Sequence, residues 1–423
     1  MNIYQSVVIS MKRTAFAALV AVAMSMNLVA TAQAQEYEYL PEHEYYGYKV
    51  VHHMGVVAKH LEQHGFNTFS HEPISDYRSF VITPALDHFY SKAVGDLRWG
   101  PVVVDIGERD DRYASIQIVD QEHYSIFEQK TVKEGERFIV IREDYKGILP
   151  KGTVIRTKSS FPFIFVRTQT LAYNDDQLSD SIRRSARVNG VSAPVDLPST
   201  ADTQALIQWS IDNSIPYRES KATMKKAAAT YTPEVHQATR KNLITYIQSG
   251  ALKGNPGMFE PLGDPAGGPP VVRAAGTLLG HLGFPVRHAY YQNVNVDGNG
   301  IPLKGANGPF VVKLPYETGV KYFWSITRYG ADTFLPLNPA DIGGNDIQAY
   351  TTFNIKPDAN GDVSFTFSTE DPKDGTYWMP VKDDGYYFIV RYYPSSPNLN
   401  GQTAFDRIYA GTKMEDKIKP LKF

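Results

Sequence analysis

Short runs of β-branched and aromatic residues, each followed by turn-forming residues, are the feature that most limits how this chain folds. Such runs are typical of buried strands, and the glycine and proline positions between them indicate tight turns. The sequence therefore predicts a mainly β protein built from antiparallel sandwiches. The predicted strands are 80–83, 102–106, 113–119, 137–142, 153–158 and 163–170 in the first half, and 288–296, 310–314, 321–327, 363–368 and 386–393 in the second.

Helical patterns precede the first group of strands and separate it from the second. Apolar residues recur at helical spacing over 48–66, and Gly65 is expected to end that helix. The remaining segments are predicted as helix over 175–188, a Ser/Pro-rich connector over 191–200, helix over 201–252 with breaks near Pro216 and Pro233, and a Gly/Pro-rich loop over 254–270.

These patterns divide the 423 residues into four parts. Residues 1–34 are predicted to be a signal peptide, and 35–195 an N-terminal β domain with a leading helix. Residues 196–270 form a helical connector with the Gly/Pro-rich loop, and 271–423 form a C-terminal β domain.

The N-terminal residues have the composition of a bacterial export signal. Lys12 and Arg13 form a basic flank, an apolar stretch follows, and Ala32-Gln33-Ala34 is a small-residue cleavage site. No later stretch is apolar and long enough to cross a bilayer, so no membrane span is expected in the mature chain. We therefore predict a periplasmic or secreted protein after cleavage near Ala34.

Composition excludes several classes of function. The formal net charge of −2 provides no field for nucleic acid or an anionic membrane. The chain has no cysteine, which excludes disulfides, thiolate metal ligands and a cysteine nucleophile. No phosphate loop, dinucleotide fingerprint or nucleophile elbow is present, and no cofactor is expected.

The densest group of chemically active residues lies within 81–104, between two apolar runs. It contains Asp87, His88, Tyr90 and Ser91, followed by Asp96 and Arg98. Polar residues held between buried strands are positioned by the scaffold, which is where binding and catalytic sites concentrate. The sequence indicates a site here, with Asp87 expected to be functional rather than purely structural.

Two residue groups in the second half are candidates for the opposite wall of that site. Residues 322–329 alternate along a predicted strand, which contributes Trp324, Ser325 and Thr327. Arg391 lies among aromatic residues, where it either binds an anion or covers the edge of a core.

The histidines offer a candidate metal site that the spacing disfavours. His53, His60 and His64 share a face of the predicted helix, as three-histidine sites require. However, His53 and His60 are two helical turns apart, about 10 Å along the axis, which is too far for one metal ion.

Two Asp/Asn/Gly clusters at 295–300 and 358–362 lack the closing glutamate of an EF-hand and are expected to be hairpin turns. We therefore predict no metal site.

Motifs in both halves resemble two domains that occur together in bacterial exported proteins. The first set resembles domain of unknown function 1254, and the second resembles its partner, domain of unknown function 1214. The first motifs are Asp87-His88-Phe89-Tyr90-Ser91, Gly95-Asp96-Leu97, Gly100-Pro101 and Arg112-Tyr113 with Asp120, and the second are Phe323 to Tyr329, Asn338-Pro339, Asn360-Gly361, Trp378-Met379-Pro380 and Tyr392-Tyr393-Pro394.

The resemblance implies two jelly-roll-like β domains joined by helices, and it leaves the biochemical role unassigned. Carbohydrate or phosphorylated ligands have been suggested for such proteins. It also adds Arg112 to the candidate ligand-binding residues. Ala85 and His88 stand where the family often has asparagine and threonine, which implies a different ligand or a lost activity.

Three functions remain open at this point. The first is a small-molecule or saccharide-like ligand bound between the β domains by Tyr90, Ser91, Arg112, Trp324, Ser325, Thr327 and Arg391. The second is a cofactor-free hydrolase in which Asp87 and His88 are the acid/base pair. The third is a structural protein of the cell envelope, and the oligomeric state stays undetermined.

Export predicts removal of the N-terminal segment through Ala34. The intact mass of the periplasmic form should correspond to a chain that begins at Gln35. A product that retains Lys12 and Arg13 would contradict the predicted location.

Overall fold

The structure is a computed structural model that describes residues 37–79, 83–170, 176–248, 257–285, 288–316, 323–393 and 418–420. Within these residues the protein is mainly β, with six helices. The N-terminal strands are β1 (Ser70–His71), β2 (His88–Val94), β3 (Val102–Asp105), β4 (Ala114–Val119), β5 (Ser125–Gln129), β6 (Arg137–Arg142), β7 (Thr153–Thr157), β8 (Phe163–Gln169) and β9 (Arg187–Asn189).

These strands form the N-terminal sandwich from two sheets, with orders β1-β2-β8-β4-β5 and β7-β6-β3-β9. Alternate residues of each strand face the space between the sheets, because successive side chains point to opposite faces. Ile116 and Ile118 of β4 meet Val104 of β3 and Val140 of β6 in one buried cluster. Apolar contact between the two inner faces therefore holds this sandwich together.

The C-terminal sandwich repeats this arrangement with different strands. Its sheets have the orders β10-β16-β12-β13 and β15-β14-β11-β17, and Trp324, Ile326, Phe365 and Val390 are buried between them. The strands are β10 (Tyr290–Val294), β11 (Phe310–Pro315), β12 (Phe323–Gly330), β13 (Ala349–Thr351), β14 (Asp362–Ser368), β15 (Tyr377–Pro380), β16 (Tyr386–Tyr393) and β17 (Ile418–Pro420).

Five of the six described helices, all except Asp176–Arg184, form a layer on the outer face of the first N-terminal sheet. Val50, Met54 and Val57 of α1 pack in one buried cluster with Phe163 and Phe165 of β8. Helix α1 also contacts α3, α4, α5 and α6, so it is the centre of this layer. The helices are α1 (Glu42–His64), α2 (Asp176–Arg184), α3 (Thr203–Asp212), α4 (Lys221–Thr230), α5 (Pro233–Gln248) and α6 (Pro270–Gly280).

The predicted sandwich strands are largely confirmed, with several corrections. The segment after Asp87 is itself a strand, β2, rather than a linker between two strands. Two strand pairs, β6–β7 and β14–β15, are parallel, so neither sandwich is purely antiparallel. The jelly-roll assignment stays a prediction, and the predicted strand 80–83 lies outside the described residues except at Thr83.

The helix predictions also needed correction at their ends. Helix α1 begins at Glu42, six residues before the predicted start, and ends at Gly65 as predicted. The acidic residues Glu42 and Glu44 lie in its first turn, where they interact favourably with the helix dipole. Residues Arg187–Asn189 pair with β3 and are not helical. Among the described residues, none of the helices has the length and hydropathy that a membrane crossing requires.

The sandwich core predicts a clear contrast between two isoleucines. Ile116 is 0% exposed between the N-terminal sheets, whereas Ile148 in a loop is 95% exposed. Ile116→Ala should lower the free energy of unfolding by about 2–5 kcal/mol because it leaves a cavity. Ile148→Ala should change it by less than about 0.5 kcal/mol. Denaturant unfolding measures both, and equal effects would contradict the assigned core.

Candidate functional site

The two sandwiches meet at a buried polar cluster. Its residues lie on the strand faces that point away from the two sandwich cores, because successive side chains of a strand point to opposite faces. On β2, His88 and Tyr90 point out of the N-terminal core, and Tyr90 stacks on Phe165 with ring centroids 5.0 Å apart. On the C-terminal side, Ser325 of β12 lies opposite Arg391 of β16 in the sheet register. Both belong to the face that does not contribute to the C-terminal core.

Asp87 links the two sandwiches. Ser325 Oγ donates a hydrogen bond of 2.5 Å to Asp87 Oδ2, and His88 Nδ1 lies 2.5 Å from Asp87 Oδ1. Asp87 and Ser325 are 0% exposed and His88 is 2% exposed. A buried carboxylate needs such partners because an unpaired buried charge is very costly.

The charge state of this pair follows from burial and its neighbours. Burial raises the pKa of the Asp87 carboxyl, whereas the facing His88 and Arg391 lower it. The lowering is the larger effect, so this pKa lies below its usual value. Burial lowers the pKa of His88 in spite of the adjacent carboxylate. At neutral pH the cluster therefore contains an anionic Asp87 and a neutral His88, whose Nδ1 lies against the carboxylate.

Arg391 holds the segment that leads into Asp87. Its Nη2 donates to the carbonyl of Thr83 at 3.1 Å and to the hydroxyl of Tyr329 at 2.9 Å. The Tyr329 hydroxyl donates in turn to the carbonyl of Pro84, and Thr83 Oγ1 lies 2.9 Å from the hydroxyl of Tyr387. Thr83 has a φ of 54°, a strained conformation for a β-branched residue. The C-terminal sheet therefore stabilises a strained segment of the N-terminal domain.

A second buried guanidinium lies beside the cluster. Arg167 of β8 is 3.7 Å from the ring centroid of Phe284, and it donates to Gln117 Oε1 and the carbonyl of Leu282. Within the described residues, neither Arg167 nor Arg391 comes within ion-pair distance of a carboxylate. Two buried cations thus lie near Asp87, whereas Glu128, a further buried carboxylate on the same sheet, is paired with His288.

The structure brings together only part of the predicted site. Asp87, His88, Tyr90, Ser325 and Arg391 meet, and buried Thr327 lies on the same face of β12 as Ser325.

Three predicted residues are not brought to this cluster. Trp324 points into the C-terminal core, where its Nε1 donates to the carbonyl of Tyr316. Ser91 lies on the opposite face of β2 from His88, with its Oγ 3.0 Å from His71 Nδ1. Arg112 pairs with Asp110 at 2.7 Å.

The helical histidines do not act as one group. The rings of His60 and His64 are 4.9 Å apart, while His53 turns toward a different part of the protein. There, His53 Nδ1 lies 3.0 Å from His281 Nε2, and the ring of His123 stacks on that of His281 at 4.7 Å. His123 and His281 were not predicted, because they are 70 and 228 residues from His53 and no local pattern connects them.

The two Asp/Asn/Gly clusters form turns in the structure. Asp297 Oδ1 accepts hydrogen bonds from the amides of Asn299 and Ile301. Asp358 Oδ1 accepts from the amides of Asn360 and Asp362 in the same way. The carboxylates are therefore engaged with the turn backbone, as the turn prediction required.

Comparison with known proteins identifies the family. The model Protein of unknown function (DUF1254) matches residues 66–189, and Protein of unknown function (DUF1214) matches residues 288–397. The chain therefore belongs to the family that pairs these two domains, as its motifs predicted. No curated protein matches the sequence.

Two solved structures resemble the fold. The VPA0106 protein from Vibrio parahaemolyticus is similar over 90% of this chain and 98% of its own, with 19% identity and a TM-score of 0.64. An uncharacterized protein from Burkholderia cenocepacia is similar over 83% of this chain and 85% of its own, with 13% identity and a TM-score of 0.46. The first likeness supports the fold alone, and the second adds nothing to it.

Buried histidines predict a loss of stability in acid. Burial, aided by His64, lowers the pKa of His60 to about 4, below the value of about 6.5 expected in the unfolded chain. Between these values the unfolded state binds a proton that the folded state does not, so stability falls as the pH falls. His60→Gln should reduce the stability lost between about pH 7 and pH 4.5 by about 2 kcal/mol.

Urea unfolding at the two pH values measures this difference. His64→Gln at the exposed end of α1 is the comparison variant, and it should keep most of the acid sensitivity, because burial is the larger cause of the low pKa of His60. An unchanged pH dependence in His60→Gln would contradict the assignment.

Proposed function

We propose that this protein binds a small hydroxylated anion, such as a sugar acid, between its two sandwiches. The observation that supports this is the pair of buried guanidiniums near Asp87. Arg391 is 4% exposed, and its Nη1 has no hydrogen-bond partner among the described residues. A buried guanidinium with an unused donor is the group that proteins use to bind a carboxylate or phosphate.

His88 supports the hydroxyl part of the ligand. Its Nδ1 lies 2.5 Å from Asp87 Oδ1, and the carboxylate favours a proton on that nitrogen. The neutral ring then carries an unprotonated Nε2, which is buried without a hydrogen-bond partner in the described structure. An unprotonated imidazole nitrogen accepts a hydrogen bond from a hydroxyl group. Tyr90 and Tyr393 lie 4.8 and 6.0 Å from the His88 ring and would supply aromatic surface for a sugar-like ligand.

Entry of a ligand requires the two sandwiches to separate. All the side chains that contact Asp87 are buried, so the arrangement described here is a closed one. Hinge or shear movement of domains around a ligand is a common way of closing such a site. The same proposal includes a ligand-binding role for the family and domain boundaries at 35–195 and 271–423. It also includes export to the periplasm.

The two alternative functions receive less support. The predicted hydrolase uses Asp87 and His88 as its acid/base pair, and both groups must then reach a substrate. Here both are buried, and Asp87 Oδ2 already accepts a hydrogen bond from Ser325 Oγ. A purely structural interface accounts for the cross-domain hydrogen bonds, but it does not explain two buried guanidiniums near Asp87.

Thermal shift with defined ligands tests the proposal. Sodium galacturonate and gluconate should raise the melting temperature of the wild type in a saturable way, whereas galactose at equal concentration should not. Arg391→Gln should abolish the rise, because it removes the charge that binds the carboxylate. His88→Gln should weaken it several-fold, as expected for one lost neutral hydrogen bond.

Arg156→Gln is the matched control, since Arg156 is an exposed residue of β7, which belongs to the other N-terminal sheet from β2 and β8. It should keep the full ligand response. The proposal fails if neither acid produces a saturable shift, or if Arg391→Gln folds and responds like the wild type. In that case the interface is structural.

A further inference from the structure

We propose that His53, His123 and His281 bind one divalent first-row transition metal ion, of which zinc is the first to test. One nitrogen from each ring lies within 4.8 Å of the others. This inference departs from the sequence analysis, which predicted no metal site. It does not depend on the proposed ligand site between the sandwiches.

Three separate elements bring these histidines together. His53 lies on α1, His123 in the turn between β4 and β5, and His281 directly after α6. The three rings have centroid separations of 4.7, 5.1 and 5.2 Å. Zinc–nitrogen bonds of about 2.0–2.1 Å in tetrahedral geometry place ligand nitrogens a little over 3 Å apart. Small side-chain rotations would therefore close the site around an ion.

A hydroxyl group orients His123 for this role. Thr277 Oγ1 donates to the carbonyl of Arg273 at 3.0 Å and lies 3.1 Å from His123 Nδ1. With its proton used in this way, the hydroxyl accepts from His123 Nδ1–H and leaves Nε2 as the free lone pair. Metal-binding histidines in proteins are usually fixed by such a bond from the second ring nitrogen.

A small cavity adjoins one of the three histidines. It has a volume of about 10 Å³, and its wall contains His123, Gln117 and Ser125. This is about the least space that holds one water molecule. Three histidine nitrogens without a carboxylate favour zinc over magnesium or calcium.

Backbone strain next to the histidines is a second observation that favours a function. His123 has a φ of 61° and Leu282, next to His281, has a φ of 67°. Positive φ values are costly for residues other than glycine, and they concentrate at functional sites. Two of them adjoin the same cluster of imidazoles.

The alternative is a metal-free set of hydrogen-bonded histidines, in which His53 Nδ1 donates to His281 Nε2. Metal titration of the mature chain, prepared without an affinity tag and stripped with a chelator, separates the two cases. We expect about one zinc ion per chain, with a rise in melting temperature that the chelator reverses. Cobalt should give the visible absorption of a nitrogen-ligated site, and nitrogen NMR of the histidines should show three perturbed rings.

Matched glutamine variants complete the test. His281→Gln should weaken zinc binding by more than about tenfold. His64→Gln, on the exposed end of α1, and Arg156→Gln, on the exposed face of β7, should bind zinc like the wild type. The proposal is overturned if the wild type shows no saturable binding, or if zinc leaves the three histidine signals unchanged. Equal binding by a folded His281→Gln variant would also overturn it.

Discussion

The first N-terminal sheet is buried on both faces, and the rest of the structure depends on this constraint. Its inner face packs against the second sheet, while its outer face is covered by helix α1 at one end and by the C-terminal sheet at the other. Outward-facing residues of an exposed sheet would be solvated, but here they need internal partners. Both candidate sites arise where polar residues meet those partners.

The same sheet connects the two sites. Arg167 lies beside the interdomain cluster and donates to Gln117 and to the carbonyl of Leu282. Gln117 forms part of the cavity wall beside His123, and Leu282 follows His281 directly. The two candidate sites therefore lie on neighbouring parts of the same sheet, with Arg167 and Gln117 between them.

The buried polar groups lower the stability of the fold at the positions proposed to be functional. It costs free energy to bury Asp87, Arg391 and the three clustered histidines. Hydrophobic residues of similar volume would often stabilise the fold as well or better. Proteins retain such groups where they bind or react. The apolar cores of the two sandwiches provide the stability that makes these groups tolerable.

The sequence by itself determined the β-rich class, the family and the strand periodicity, because side-chain alternation and turn residues are local properties. It also located Asp87 and His88, since polar density beside apolar runs is visible along the chain. Only the tertiary structure decided which strand faces meet: Ser325 contacts Asp87, while its neighbour Trp324 enters a core. It alone brought His281 to His53, because contacts over 228 residues depend on packing rather than on local pattern.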